Sequence, residues 1–444
     1  MAKIKKATTC KLTILPEEKH PFPIPQNWFW TDIDSINFYS GSQIDPTKQP
    51  DTVFELYSVP SSANDYPEII TGSEIGSAKQ SVLKNDVLLC KINPRINRVW
   101  KVSQHTDYEL LASSEWIIIR NAAMNPTYLM YCLTTQYFRK FMLSNVSGVG
   151  GSLMRAQPKY VRNYPIPIAP LAEQHRIVGR IESLFAKLDE AKEKAQAVVD
   201  GFEMRKAAIL HKAFTGELTE QWRKKHKVGI ESWKYHKYAE LGTAKLGKML
   251  DKSKNTGQET KYLRNINVRW FEFDLSDLAS MLASDEERRI LSVEEGDLFI
   301  CEGGEPGRCA VWKDHRCDLI FQKALHRFRP NLRAINDFLC YNLYYMSLNG
   351  SLEQHFTGST IKHLTGQSLA KIELLLPCRE EQLEIVLILD SLLEQERQAK
   401  DAAEAVLDQI DTMKKSILAR AFRGELGTND PTEESAVELL NTLL

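Results

Sequence analysis

The sequence predicts an α+β protein: two homologous α+β domains separated by two long helices that pair inside the chain as an antiparallel coiled coil about a pseudo-two-fold axis. Three observations predict it. Glu173-Gln174 through Gly216-Glu217-Leu218 returns as Glu381-Gln382 through Gly424-Glu425-Leu426 at a constant offset of about 208 residues, with about 20 identities in roughly 46 positions. A self-similarity of this size is the first feature to settle in any chain, because it fixes the architecture. Both copies carry a seven-residue apolar seam, and the segments that precede them share a faint, ordered set of landmarks.

The elements follow in order. Residues 1–15 form a basic arm (Lys3, Lys5, Lys6, Lys11), 16–170 a first domain, 171–220 a first helix, 221–377 a second domain, 378–426 a second helix, and 427–444 a mobile acidic tail. The first seam runs Ile177, Ile181, Leu184, Leu188, Ala191, Ala195, Val198, Phe202, then Arg205 out of pattern, then Ile209. The second runs Ile385, Leu389, Leu392, Glu396, Ala399, Ala403, Val406, Ile410, Met413 and Ile417. Such a period favours a left-handed coiled coil. Each helix is preceded by a proline-marked apolar stretch and followed by glycine, the expected punctuation. Domain, helix, domain, helix in one chain makes the second helix return along the first; pairing between chains is the alternative.

Within the domains, Trp28-Phe29-Trp30 answers Trp233-Lys234-Tyr235, and Asn85-Asp86-Val87-Leu88-Leu89-Cys90 answers Gly296-Asp297-Leu298-Phe299-Ile300-Cys301. Val99-Trp100 answers Val311-Trp312, Tyr128 to Tyr131 answers Phe338 to Tyr341, and Gly151-Ser152 answers Gly358-Ser359. Trp116 to Ile119 and Leu298 to Ile300 read as strands, and Thr127 to Leu143 and Asp337 to Leu348 as helices.

The formal net charge of −1 hides a segregation of sign. Gln80 to Pro165 holds about 11 Lys and Arg against 4 Asp and Glu, Gln221 to Thr260 about 10 against 4, and residues 373–444 roughly 7 against 16. Basic domains suit a polyanion, and an acidic helix suits a protein partner. The eight cysteines include no CxxC pair, and Cys301, Cys309 and Cys317 lack the spacing and histidines of a zinc site. No stretch approaches a membrane span and the Lys-rich start lacks a signal-peptide core, so a reduced, cytoplasmic protein is expected.

Catalytic motifs are weak. Gly242 to Met249 nearly spells a phosphate-binding loop, but Met249 replaces the hydroxyl that would bind magnesium. Asn93-Pro94 and Asn125-Pro126 lack the second proline and aromatic of an adenine methyltransferase motif, and no acid, base and nucleophile set repeats in both halves. A non-enzyme is the economical reading.

The duplicated Glu-Gln-x-x-Ile-Val opening each helix, the Ala-Phe-x-Gly-Glu-Leu closing it (Ala213 to Leu218, Ala421 to Leu426), Thr219-Glu220-Gln221-Trp222-Arg223 after the first copy, and the Trp-led domain starts together resemble the specificity subunit of type I restriction-modification systems. The resemblance covers nearly the whole chain. It implies two target-recognition domains, each reading one half of a bipartite, asymmetric site in double-stranded DNA. It implies helices that hold the domains apart and dock two modification subunits, with two restriction subunits completing the assembly. It also implies no cofactor on this chain: S-adenosylmethionine, ATP and magnesium belong to the methyltransferase and translocase partners. Changing the helices by about one heptad, roughly 10 Å, should then alter the spacer by a few base pairs at about 3.4 Å each.

On that reading the DNA-binding candidates are equivalent basic loops: Lys91, Arg95, Asn97, Arg98 and Lys101 in the first domain, and Arg308, Lys313, His315 and Arg316 in the second. Arg155, Lys159 and Arg162 add a second loop, matched by Lys362 and His363. Arg and Asn can read base edges, whereas Lys contacts go mainly to phosphate. The alternatives are a coiled-coil adaptor that binds protein without reading DNA, and a nucleotide-using enzyme built on Gly242 to Met249.

Overall fold

The computed structural model describes residues 13–148, 154–251, 255–315 and 318–438. The basic arm up to residue 12, Gly151-Ser152, Arg316 and Cys317 lie outside them. The chain divides into two compact units, Met1–Lys194 with Ala405–Leu444, and Ala195–Glu404. Each boundary therefore falls inside a long helix, so each unit holds one domain, the N-terminal part of one repeat copy and the C-terminal part of the other.

In the first unit the domain is closed by its own ends. Strand Phe29–Asp32 pairs antiparallel with Pro165–Ile168, Phe29 opposite Ile168. Pro165 and Pro167 can sit in this strand because the ladder has only one side to serve. A three-stranded sheet places Val87–Cys90 between Val99–Lys101 and Trp116–Ile119. A five-stranded sheet follows, in which Val53–Tyr57 and Glu109–Ala112 run parallel. The helix expected over Thr127 to Leu143 is two helices, Pro126–Thr134 and Gln136–Ser144. Thr135 between them is extended, and its hydroxyl donates to the Cys132 carbonyl, ending the first helix.

The second unit repeats this plan. Lys234–Lys237 pairs antiparallel with Glu373–Leu376, Leu298–Cys301 lies between Cys309–Val311 and Leu325–Pro330, and Gln258–Leu263 runs parallel to Ile320–Phe321. An extra edge strand, Gly242–Leu246, pairs with Leu325–Pro330. The segment that nearly spells a phosphate-binding loop is thus a strand, with no turn in which backbone amides could converge on a phosphate.

The strand registers correct one sequence match. Leu88 faces Trp100 while Phe299 faces Ala310, and Val102 and Trp312 donate their amides to Asp86 and Asp297. Trp100 therefore corresponds to Ala310, and Trp312 to Val102. A slip of two residues keeps every side chain on its own face, so the alternation in sequence cannot detect it.

The helices pack antiparallel within each unit. In the first, Ile177, Val178 and Ile181 share a core with Leu418, Ala421 and Phe422, and Lys414 reaches Asp189 at 2.5 Å. In the second, Ile385, Val386 and Leu389 share a core with Leu210 and Ala213, and Arg205 bonds Glu396 at 2.7 Å. The two polar residues of the seams are thus each other's partner, a device that fixes register. The first copy is not one continuous helix: Leu171–Asp200 and Phe202–Phe214 are separated at Gly201, and the Arg205 guanidinium donates to the Val198 carbonyl there. The second copy, Arg379–Ala421, is unbroken. Gly216 (φ +83) and Gly424 (φ +73) end the two copies in the left-handed region, where a side chain would be strained. Ala399 and Val406, placed on the seam by their spacing, are exposed, because a 3.6-residue turn drifts off a strict heptad stripe.

The segment expected to be a mobile tail is docked where it is described. The Asn429 amide donates to Glu173, Glu433 pairs with Arg176 at 2.7 Å, and Ala436 is buried in the first unit's core. No helix among the described residues is long and apolar enough to cross a membrane.

Candidate nucleic-acid interface

Each domain is anchored by the Glu-Gln pair that opens its helix. Trp28 donates its indole N–H to Glu173 (2.7 Å), and Trp233 does the same to Glu381 (2.9 Å); both carboxylates are fully buried. The neighbouring glutamine accepts from the backbone amide just before the domain's main helix, Asn125 to Gln174 at 2.9 Å and Ile335 to Gln382 at 3.0 Å. The glutamine amide also donates to the carbonyl of Ala169 or Pro377 in the approach to its own helix. A buried polar group must find such partners, so the repeated dipeptide ties together the start, the middle and the end of each domain.

The strand in the middle delivers the chain to a corner built identically in both units. In the first, the Cys90 amide donates to the Arg98 carbonyl, Lys91 to Glu115, and Ala156 to Lys91. In the second, Cys301 donates to Arg308, Glu302 to Ala324, and Leu364 to Glu302. Lys91 therefore corresponds to Glu302, Ser114 to Lys323, and Arg155 to His363. A buried aspartate at the strand's start holds an arginine in each case: Asp86 with Arg120 (2.7 and 2.6 Å) and Asp297 with Arg329 (2.5 and 3.0 Å).

The candidates divide by what their side chains already do. In the first unit Lys91 donates to the Ser114 carbonyl at 2.6 Å, Arg155 pairs with Glu115 at 3.2 Å, and Arg95 is exposed beside Met154. The structure thus brings the Lys91 to Arg98 loop against the Arg155 loop through the Ile92 to Arg155 bridge. Arg139, which the sequence reading passed over, joins them by donating to the Arg95 carbonyl. Asn97 sits at φ +50, its side-chain amide donates to the Thr134 carbonyl, and its buried Oδ1 has no partner among the described residues. Lys101 donates to the Thr127 hydroxyl at 3.0 Å, at the other end of the strand. Lys159 lies over the Tyr160 ring, and Arg162 is 3.7 Å from Asp34.

In the second unit Arg308 is folded inward, donating to Glu305 (2.8 Å) and to the Asn265 carbonyl (2.9 Å), with its side chain 14% exposed. Lys313 pairs with Asp337 at 3.0 Å and the exposed His315 with Glu295 at 2.8 Å, both at the far end of the hairpin from Arg308. Lys362 is exposed, and His363 packs beside Gly303, bringing the 357–364 segment against the loop after Cys301. Lys323 is exposed on the same corner and was not singled out from sequence, where it is one lysine in an unremarkable turn.

Among the described residues no group of His, Cys, Asp and Glu could hold a metal ion. A 660 Å³ groove in the second unit is lined by Glu302, His326, Thr365 and Gln367 over Tyr238 and Phe328. His326 is buried, its Nε2 lies 3.0 Å from the Leu364 carbonyl, and burial pushes its pKa down.

Residues 230–405 match the family model described as the type I restriction modification DNA specificity domain. The specificity subunit of the EcoKI type I restriction enzyme of Escherichia coli K12 is 26% identical over 319 residues, covering 68% of this chain and 67% of that subunit. The EcoDI specificity subunit of Escherichia coli is 28% identical over 204 residues, covering 45% of this chain and 44% of its own length. The crystal structure of an HsdS subunit from Thermoanaerobacter tengcongensis has the same fold, with a TM-score of 0.69 over 92% of this chain and all of that one, at 20% sequence identity. A duplicated helix, a duplicated domain, and these matches converge: residues 230–405 match the type I restriction modification DNA specificity domain, and the chain is similar to the specificity subunits of type I restriction-modification systems.

Proposed function

We propose that this chain is a non-catalytic DNA-reading subunit: each unit reads one half of a bipartite, asymmetric site in double-stranded DNA, and the helices dock the modification and restriction subunits. The observation that carries the reading is the repeated corner, in which the same backbone hydrogen bonds present different side chains, Lys91 and Arg155 against Glu302 and His363. A shared scaffold with exchanged contact residues is what two readers of different half-sites require, because contacts to phosphate position a protein while contacts to base edges choose the sequence. Scaffolding is supported by exposed positions identical in both copies, Ser183/Ser391, Ala197/Ala405 and Asp200/Asp408, which packing does not explain. Methyl transfer from S-adenosylmethionine and ATP-driven restriction fall to two modification and two restriction subunits.

The test is selection from random duplex DNA by the full chain with its modification subunits, followed by affinity measurements at rising salt. A two-part motif with an unread spacer and a steep salt dependence is expected. Indifference to sequence would leave the coiled-coil adaptor as the better reading.

A further inference from the structure

Glu302 holds the corner of the second unit through its backbone, and its side chain is left over. Its carboxylate is half-buried, lines the groove beside His326, Thr365 and Gln367, and makes no hydrogen bond or ion pair among the described residues. His326 lines the same groove and feels the Glu302 charge, but it is no bonded counter-ion, since its ring is buried and its Nε2 is committed to the Leu364 carbonyl. A carboxylate removed from part of its water without a partner costs free energy. It is kept where a donor arrives from outside.

We propose that the position held by Lys91 in the first unit and Glu302 in the second determines base specificity, Glu302 accepting from the exocyclic amine of a cytosine and Lys91 donating to the acceptors of a guanine. The inference rests on the DNA-reading function above and extends it to one residue pair. Both residues leave the same strand one position after a buried cysteine, and both have their backbone amide and carbonyl bound by equivalent partners, Glu115 and Ala156 against Ala324 and Leu364. Their side chains therefore occupy matched places with opposite charge. Against DNA a bare carboxylate is repelled by phosphates, so only base amines reward it, and cytosine N4 is the amine that Glu and Asp read in the major groove. An ammonium at the same place suits guanine O6 and N7, and Lys91 retains donors beyond the one bound to Ser114. Exposed Lys323 and Lys362 beside Glu302 supply the cations that hold the backbone.

The experiment compares the bases selected from a random duplex library by the wild-type full chain with its modification subunits and by Glu302→Gln, Glu302→Asp and Lys91→Gln. Glu302→Gln is expected to reduce the preference for cytosine about tenfold at one position of one half-site, with the other half-site unchanged. Glu302→Asp, which keeps the charge, retains cytosine. Lys91→Gln relaxes a guanine in the opposite half-site only. If Glu302→Gln selects the wild-type motif, or loses affinity evenly for every sequence, the inference is overturned while the DNA-reading function stands. If the wild-type chain enriches no motif at all, both fall.

Discussion

Glu173 and Glu381 are the same residue of the repeat, both fully buried and both bound to a tryptophan indole, yet they are satisfied in different ways. Around Glu381 the segment that follows the first helix supplies Thr219 at 2.7 Å and the guanidinium of Arg223 at 2.6 Å. Around Glu173 the described part of the C-terminal segment supplies neutral donors, Asn429 at 2.7 Å and Thr428 at 3.3 Å, while Arg176 turns to Glu433. One buried carboxylate is met by a cation and the other by amide and hydroxyl hydrogen bonds. The same carboxylate can thus anchor a domain with or without a buried countercharge, provided its lone pairs are filled, and the two solutions should fail differently.

The largest difference is expected from removing the carboxylate charge. Glu381→Gln strands the buried Arg223 guanidinium and should cost the second unit about 3 kcal/mol, whereas Glu173→Gln strands no cation and should cost the first about 1 kcal/mol. Hydrogen exchange of Leu298–Cys301 and Val87–Cys90 in the full chain reports the two units separately; equal losses would break the comparison. Truncation after Leu426 comes next. It removes Thr428, Asn429, Glu433 and Ala436 from the first unit and should cost it about 2 kcal/mol because Trp28 alone remains to bond Glu173, leaving protection of the second unit intact. A smaller effect is expected at the seam, where the repeat equates Arg205 and Glu396 with Met413 and Leu188. Arg205→Met alone leaves Glu396 unpaired and should lower stability in denaturant titration by about 1 kcal/mol, while Arg205→Met with Glu396→Leu should restore it.

The smallest is a pH effect confined to one unit. His326, whose pKa burial pushes below its usual 6.5, corresponds by register to Ile117 in the first unit. The unfolded chain then binds a proton that the folded unit refuses, so stability present above about pH 6.5 is lost as pH falls through it. His326→Leu should flatten the acid limb of the second unit's hydrogen-exchange profile and leave the first unit's unchanged.

Much of this molecule was legible because repetition is visible without knowing the fold. The copies of the helix, the Trp-led strands, the matched Asp86 and Asp297, and the antiparallel return of the chain all rest on periodicity and order, which one sequence carries in full. The contact residues were less legible. Arg308 and Asn97 have the residue types of base readers, but Arg308 is folded onto Glu305 and Asn265, and Asn97 onto Thr134. Glu302 has the wrong charge for a search aimed at cations and emerged only when the backbone hydrogen bonds aligned it with Lys91.

The amino-acid sequence by itself determined the duplication, the long helical repeats and their antiparallel return, because hydrophobic period and internal identity can be read along the chain without knowing which residues touch. Only the tertiary structure decided where the units divide, which residues fill the lone pairs of Glu173 and Glu381, and which side chain stands at each corner. Those depend on partners far away in sequence, the C-terminal segment on Glu173 and the Ala324 turn on Glu302. A buried polar group is satisfied by whatever donor the folded chain brings within about 3 Å, and sequence distance has no bearing on which donor that is.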